Sequence, residues 1–277
     1  MKDDLLVAVG DLHCGSTVGL HPGADTPLDD GGAYSPSPVQ RWLWANWLDF
    51  WKRVRDRGKP VRIIANGDLV DGHHHGTVQV ASNHTGIQSA ILREVWRPVL
   101  DTVKVASFVV VRGTAAHVGQ GSPSEESFAA WLKAERVKVV PDEDTGTLSW
   151  RHFRGDIQGV RIDVTHHGRT GGRPWTAPGG VTNLATEILV EYAQRGEPPP
   201  ALAIRSHKHK HFDTGTMTKV RVLALPAWQL GTDWVKQVVP DSLADLGGSV
   251  VTIAGGKIRD IETVQYTPDQ PTRWRPF

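Results

Sequence analysis

Aspartate and histidine residues follow several apolar segments of the chain. Asp11 and His13 come directly after one such segment, Asp68 follows the next, and His117 lies shortly after a third. Carboxylate and imidazole ligands together suit Mn, Fe or Zn, whereas a Ca site would be built from oxygen alone. These residues therefore predict a transition-metal site, provided that the fold brings them together.

The second half of the chain adds two histidine pairs. His166 and His167 end a predicted strand, and His207 and His209 follow another. Residues two apart in an extended chain point to the same side, so His207 and His209 are expected to face one ion or two neighbouring ions. Two adjacent divalent ions can clamp a phosphate group and activate water for in-line attack. Phosphate ester hydrolysis is therefore the leading hypothesis.

In the first half of the chain, the apolar segments alternate with helical patterns. Strands are predicted at residues 5–9, 61–65, 108–111 and 137–140, and helices at 38–57, 87–105 and 122–134. A capping box of Ser122 and Glu125 is expected to open the last of these helices. Such alternation predicts a mostly parallel sheet. Ligands bind at the carboxyl ends of parallel strands, so the acidic and histidine groups should meet on one rim.

The second half is predicted to be largely antiparallel. Its strands are expected at residues 147–153, 160–165, 201–205, 212–217, 221–225, 250–254 and 258–264, with a helix at 181–194. No linker divides the chain. We therefore expect one domain over residues 1–277, with two packed sheets and helices outside them.

Composition limits the function classes. The net charge is +1, from 31 basic and 30 acidic side chains, which argues against a broad electrostatic grip on long nucleic acid. The single cysteine, Cys14, cannot form an internal disulfide and is interpreted as a packing residue rather than a ligand. The apolar run at residues 5–9 is too short to span a membrane. We expect a cytoplasmic protein with no membrane partner.

The order and spacing of these groups over residues 5–225 resemble the calcineurin-like metallophosphoesterase family. In that family a D-x-H motif supplies two ligands to one metal ion, and Asp11 and His13 match it. A G-D-x-x-D motif supplies a bridging carboxylate, which residues 67–71 match with Asp68 as the bridge. The resemblance implies an α/β (α+β) fold, a two-sheet sandwich flanked by helices in four layers. It also implies two divalent ions, with Mn favoured and Fe, Zn or Ni as alternatives.

Two further motifs of the family concern the second ion. A later H-G motif supplies one of its ligands, and either His166 or His167 matches. A final G-H-x-H motif serves both ions and is matched here except that Ser206 replaces the glycine. The resemblance implies that His207 binds the second ion and His209 the first.

The third motif departs from the family pattern. The family has G-N-H, in which the asparagine binds the second ion and the histidine protonates the leaving group. Here the chain reads Gly-Thr-Ala-Ala-His up to His117, so the asparagine is absent and two residues intervene. Thr114, Asn66 and Asn83 remain the candidates to replace it. His117 is either the general acid or a ligand, and Arg112 is the candidate for binding phosphate.

Loop residues near the motifs complete the predicted site. Asp71 is expected to orient a ligand histidine. Whether one of His73, His74 and His75 contacts substrate or all three are solvated stays open. A zinc hydrolase of the lactamase type is excluded because its H-x-H-x-D-H signature is missing.

A phosphodiester is the favoured substrate, with short or single-stranded nucleic acid or a nucleotide as candidates. Neutral donors in the 72–86 loop suit a singly charged diester, and only Arg112 and Arg169 are obvious cationic clamps for a dianion. The alternatives are a phosphomonoesterase or protein phosphatase, and a metal-binding scaffold of the same fold with weakened catalysis.

Overall fold

The computed structural model describes residues 3–74, 76–168, 176–239 and 243–268. The strands are β1 (Asp4–Val9), β2 (Thr26–Pro27), β3 (Ala33–Tyr34), β4 (Val61–Asn66), β5 (Val105–Val111), β6 (Ser149–Trp150), β7 (Phe153–Ile157), β8 (Val160–Val164), β9 (Leu202–Arg205), β10 (Phe212–Asp213), β11 (Arg221–Ala224), β12 (Leu246–Ala254) and β13 (Lys257–Tyr266). The helices are α1 (Pro38–Asp56), α2 (Thr85–Thr102), α3 (Ala115–Val118), α4 (Pro123–Ala134), α5 (Ala177–Gln194) and α6 (Asp233–Val238). Among these residues, no helix is long and apolar enough to cross a bilayer.

Two mixed sheets form the centre of the molecule. The first has the order β13-β12-β1-β4-β5-β6, and the second has the order β10-β11-β9-β8-β7. In the first sheet β1, β4, β5 and β6 run parallel, while β12 and β13 add antiparallel neighbours beside β1. In the second sheet β8, β9 and β11 run parallel, between the antiparallel edge strands β7 and β10.

Side chains of the first sheet alternate between two hydrophobic cores, because successive residues of a strand face opposite sides. Leu5 and Val7 of β1 pack under α1, α2 and α4. Leu6 and Ala8 of the same strand pack between the sheets against residues of β8 and β9. A third core joins α5 to the outer face of the second sheet. The order is helices, sheet, sheet, helix, so the predicted four-layer α/β sandwich is confirmed.

The second half of the chain is largely antiparallel, as predicted, in the pairs β7–β8, β10–β11 and β12–β13, but β9 returns parallel to β8 because α5 crosses over the face of the second sheet. Three other predictions about secondary structure were wrong. Residues 137–140 contain only one isolated bridge, Val139 to Phe108, since β6 takes the place beside β5. The predicted strand at 147–153 divides into β6 and β7, which lie in different sheets. Ser122 adopts a left-handed φ of 60° and its side chain makes no cap hydrogen bond, so the capping box is absent.

Candidate metal centre

The predicted ligands lie where strands end in abrupt turns. Five of the eight non-glycine residues with positive φ in the described chain are predicted ligands: Asp11, His13, Asp68, His207 and His209, with φ between 45° and 74°. Such conformations are costly for residues with a side chain and persist where the surrounding structure enforces them. The backbone of the first two turns is joined directly, because the N–H of Asp11 donates to the carbonyl of Gly67 (3.0 Å) and the N–H of His13 to that of Asp68 (3.0 Å).

Asp11, His13 and His209 form the first group of possible ligands, with their ligating atoms within 4.8 Å of one another. His13 donates from Nδ1 to Asp71 (3.1 Å), which leaves Nε2 as the atom that faces the group. That Nε2 lies 3.2 Å from Nε2 of His209. Two imidazole nitrogens that face each other at this distance suit two ligands of one cation.

Asp11 provides the clearest test of whether these residues fit a metal ion. Its side chain is fully buried, and Oδ1 has no hydrogen-bond partner. Nε2 atoms of three histidines surround that oxygen: His209 at 3.4 Å, His166 at 3.8 Å and His13 at 3.9 Å. A buried carboxylate oxygen without a partner is costly. The residues present therefore fit a cation at this point.

The second group of possible ligands contains His166, His167 and His207. His166 donates from Nδ1 to the carbonyl of Asn66 (2.7 Å), so its Nε2 faces Asp68 Oδ2 at 2.9 Å. The ring of His167 lies 4.4 Å from that of His207 and 4.9 Å from that of His166, measured between centroids. The structure brings both His166 and His167 to the site, where the sequence left the choice between them open.

Asp68 lies between the two groups. It shares one cluster with Asp11 and His166 and another with His13 and His117. The N–H of Thr114 donates to its Oδ1 (2.6 Å), and the Thr114 hydroxyl donates to its Oδ2 (3.1 Å). Gly113 makes this approach possible, because a Cβ there would lie 2.2 Å from Asp68 Oδ1. Asp68 therefore lies close to ligand atoms of both groups.

Buried negative charge perturbs the titration of the neighbouring histidines. Burial opposes protonation of His166, but the carboxylates of Asp68 and Asp11 outweigh it and raise its pKa to about 10. For His167, burial and the positive charges of His166 and His207 lower the pKa to about 4. Two carboxylates that raise the pKa of a buried histidine this far indicate that this part of the site favours a cation.

Asp71 organises the rim of the site. Its Oδ1 accepts hydrogen bonds from His13 Nδ1 (3.1 Å) and from Gln229 Nε2 (3.2 Å). Its Oδ2 lies 3.3 Å from Nε2 of His74. Its backbone carbonyl accepts a hydrogen bond from His117 Nδ1 (2.8 Å), and the His117 ring packs 4.2 Å from the ring of His74. Asp71 thus fixes the orientation of His13, in the way predicted for a residue behind a ligand.

Of the three candidates to replace the missing asparagine, Thr114 lies beside the second group. Its hydroxyl lies 3.2 Å from His167 Nε2 and 3.2 Å from His207 Nδ1, within the second group. Asn66 instead donates its amide to Ser206 Oγ (2.8 Å) and to the carbonyl of Thr165 (3.2 Å). Asn83 is an exposed residue shortly before α2.

Arg112 does not face the ligand groups. Its guanidinium donates to Thr147 Oγ1 (2.8 Å), Ser149 Oγ (3.0 Å) and the carbonyl of Ser149 (3.1 Å). These contacts occupy Nε and Nη2, and Arg112 is not among the described residues that line the site cavity, so the geometry gives no support to the predicted phosphate-binding role. Cys14 is buried in the core under α1 and α2, as expected for a packing residue. His75 and Arg169 lie outside the described residues.

The backbone conformation of His207 and His209 differs from the prediction. His207 and His209 were expected in extended chain with both rings on one side. Both are left-handed instead, with φ of 74° and 51°, and Lys208 between them donates its N–H to Ser206 (2.9 Å). The resulting turn sends His207 to the second group and His209 to the first. This division agrees with the one that the family resemblance implies.

Sequence reasoning missed Gln229 and Glu125. Gln229 supports Asp71 from a segment whose backbone also touches the site, because the N–H of Trp228 donates to the carbonyl of Asp11 (3.0 Å). Glu125 is fully buried, and burial together with the nearby charge of Asp68 raises its pKa to about 8. No motif marks Gln229, whereas Glu125 was assigned to a cap that the structure lacks.

The sequence matches no family model and no curated protein. Solved structures with a similar architecture include a hypothetical protein from Pyrococcus horikoshii (10% identity, TM-score 0.47, 96% of this chain and 89% of that one). They also include a dimetal phosphatase from Danio rerio (10% identity, TM-score 0.45, 95% of this chain and 99% of that one). A third is a predicted phosphoesterase from Streptococcus pneumoniae (11% identity, TM-score 0.39, 96% of this chain and 91% of that one). At these identities the similarity concerns the fold and not activity or substrate. The four-layer sandwich, with its carboxylate and histidine groups at the strand ends, agrees with the fold that the resemblance of the sequence to the calcineurin-like metallophosphoesterases implies.

Proposed function

We propose that the protein is a metal-dependent phosphohydrolase that acts on phosphodiesters. The observation that carries this proposal is the buried, unpartnered Oδ1 of Asp11, surrounded by imidazole nitrogens beside Asp68. Burial raises the pKa of Glu125, the other buried carboxyl group without a partner, whereas His209 and His166 lower the pKa of Asp11 despite its burial, so the oxygen of Asp11 is charged. A metal ion held by these residues would supply its partner.

Two groups of residues would hold a pair of divalent ions, with Asp68 shared between them. The first is Asp11, His13 and His209, and the second is His166, His167 and His207. When bound, the ions supply Lewis-acid charge to a phosphate and lower the pKa of a water molecule. Thr114 holds Asp68 in place, and Asp71 holds His13. Mn is the metal that the family resemblance favours, and Fe, Zn or Ni are the alternatives that a mixed carboxylate and imidazole ligand set also suits.

The charge around the site favours a diester. A cavity of about 440 Å³ opens beside the ligands, and Lys208 is the one Lys or Arg among the described residues that line it. A dianionic monoester is best held by several cationic donors, especially bidentate arginines, and Arg112 is engaged elsewhere. A singly charged diester needs less compensation.

At neutral pH, His117 is placed to accept a proton rather than to donate one. Its Nδ1 carries the hydrogen donated to the carbonyl of Asp71, so Nε2 holds a lone pair when the ring is neutral. Burial and the charge of His13 lower the pKa of His117 to about 4. Bound cations would lower it further. This geometry favours a proton acceptor or a ligand over the general acid that the family pattern implies.

The test compares metal content with substrate preference. The protein is stripped of metal, reloaded with Mn²⁺ and assayed with bis(p-nitrophenyl) phosphate, p-nitrophenyl phosphate and a short single-stranded oligonucleotide. We expect two metal equivalents per chain and faster turnover of the diester. Faster turnover of the monoester would favour the phosphatase alternative. Two bound equivalents without turnover of any substrate would favour the scaffold alternative.

A further inference from the structure

The turn that carries the last two proposed ligands also carries a lysine. Lys208 lies between His207 of the second group and His209 of the first, and all three residues line the site cavity. Because both histidines are left-handed, their rings belong to different groups although they are only two residues apart. Lys208 is therefore placed next to both groups, and a substrate that contacts both has to lie near it.

The backbone of this turn is fixed by the ligands themselves. The N–H of His207 donates to Asp11 Oδ2 (3.0 Å), and the N–H of Lys208 donates to the carbonyl of Ser206 (2.9 Å). The N–H of Ser206 in turn donates to the carbonyl of His166 (2.9 Å). Asp11 belongs to the first group and His166 to the second. The backbone of Lys208 therefore has a set position relative to both.

The ammonium group of Lys208, in contrast, is not used within the protein. Lys208 is exposed, and its side chain makes no hydrogen bond or ion pair with the described residues. Lys210, two residues later, is paired with Asp245 (3.6 Å) and does not line the cavity. Arg112 donates to Ser149 and does not line it either. Of the Lys and Arg residues in the described part of the chain, Lys208 is thus the one that borders the cavity, and its charge is available to a ligand.

We propose that Lys208 binds the anionic oxygen of the phosphodiester substrate. This inference rests on the proposed function and names the group that recognises the single negative charge of a diester. Lysine binds phosphate as a point charge. Its ammonium is compact, and its flexible stem of four carbons lets the charge follow the phosphate. One such group matches one negative charge, which is the charge that a diester carries.

Two probes that differ by one charge test this role without turnover. Diethyl phosphate carries the single negative charge of a diester, whereas triethyl phosphate is neutral. Calorimetry on the Mn²⁺-loaded protein measures the binding of each. We expect diethyl phosphate to bind, and Lys208→Met to raise its Kd roughly tenfold, because a hydrogen bond between two charged groups is lost. Triethyl phosphate should bind the variant and the unchanged protein equally.

Two further variants separate the charge of Lys208 from its position in the turn. Lys208→Arg keeps the charge and should restore most of the affinity for diethyl phosphate. Lys219→Met makes the same change of charge at an exposed position outside the cavity, and it should leave the binding of both probes unchanged. Each variant should retain two metal equivalents by elemental analysis, because none of them removes a proposed ligand.

Several outcomes would overturn the role of Lys208. They are no binding of diethyl phosphate by the unchanged protein, an unchanged Kd in Lys208→Met, equal weakening of both probes, loss of a metal equivalent, and no recovery in Lys208→Arg. The proposed function fails separately. Binding of diethyl phosphate that depends on Lys208, without hydrolysis of bis(p-nitrophenyl) phosphate, would overturn the proposed function alone. Hydrolysis of that diester with the same KM in Lys208→Met as in the unchanged protein would overturn the role of Lys208 alone.

Discussion

At the scale of single residues, Asp68 is the position on which both ligand groups depend. It is 1% exposed, and its two oxygens reach Thr114 on one side and His166 on the other. Asp68→Asn keeps the shape and removes the charge, and Asp68→Ala removes both. We expect either change to reduce bound metal, measured by elemental analysis, and to abolish hydrolysis.

The exposed acid Asp101 at the end of α2 provides the control. Asp101→Ala should retain two metal equivalents and full turnover. Full metal content in Asp68→Ala would contradict the bridging role. Circular dichroism of each variant separates loss of metal from loss of fold.

His117 is tested by a second substitution. The two groups of ligands are complete without it, so His117→Gln should retain both metal equivalents while turnover falls by roughly 10²–10⁴-fold through lost proton transfer. His73→Gln, in the exposed part of the same rim, should behave like the unchanged protein. Loss of one equivalent in His117→Gln would make His117 a ligand, and unchanged turnover would exclude both roles.

Sequence patterns predicted which residues lie close together, but not the orientation of each side chain. Asp11, Asp68 and His166 were predictable because each follows an apolar strand, and strand ends converge. The family resemblance implied the separation of His207 from His209, but the turn that produces it was not predictable, because it depends on left-handed φ values at two single residues. The hydrogen bond from Arg112 to Ser149 was also not predictable, because the two residues are 37 positions apart in the sequence.

At the scale of elements, α4 places a carboxylic acid in the core behind Asp68. Neither oxygen of Glu125 has a hydrogen-bond partner, and its pKa of about 8 lies above the ordinary value of 4.5. The folded protein therefore binds more protons than the unfolded chain between these two values, so stability falls as pH rises through that window. In the metal-free protein, Glu125→Gln should raise the free energy of unfolding on the order of 2–4 kcal/mol at pH 8 and by far less at pH 5.

The neighbouring Glu126 is a control, because its substitution is expected to have the opposite effect on the free energy of unfolding. It accepts hydrogen bonds from the N–H groups of Leu148 (2.8 Å) and Ser149 (2.9 Å), and its pKa is lowered although burial opposes this. Glu126→Gln should destabilise the fold above pH 5. Urea titrations of the metal-free variants at pH 5 and pH 8 measure both effects. A Glu125→Gln variant with the same pH slope as the unchanged protein would contradict a buried neutral acid.

At the scale of the whole molecule, a bound ion connects parts of the chain that are far apart in sequence. The first group joins Asp11 to His209, and the second joins His166 to His207. A ligand that binds only the folded state stabilises it by about 2.7 kcal/mol at a concentration 100 times Kd. For a chain of 277 residues, this corresponds to a rise in Tm of about 5–10 °C.

Differential scanning fluorimetry with and without Mn²⁺ measures this rise. EDTA should reverse it, and Asp68→Ala should show none. An equal rise in the variant would place the stabilising ion outside the proposed centre.

The placement of β12 was the largest feature that local patterns could not predict. Its residues are as apolar as a buried strand requires, but its partner is β1, over 240 positions earlier, with Leu5 opposite Thr252. Hydrophobic periodicity identifies a strand and not its neighbour. The fold class was therefore within reach of the sequence, whereas the sheet to which the last strands belong was not.

The same pairing has a consequence for the order in which the protein is made. On the ribosome, β1 emerges first, but one of its two neighbours, β12, is synthesised only after every proposed ligand has appeared. During that interval one edge of β1 remains open, and the nascent chain has to keep an apolar edge strand unpaired while most of the protein is translated. Unpaired edges of this kind promote aggregation, and distant pairings slow folding. Synthesis of β12, rather than synthesis of the last ligand, is thus the step after which both edges of β1 can be paired.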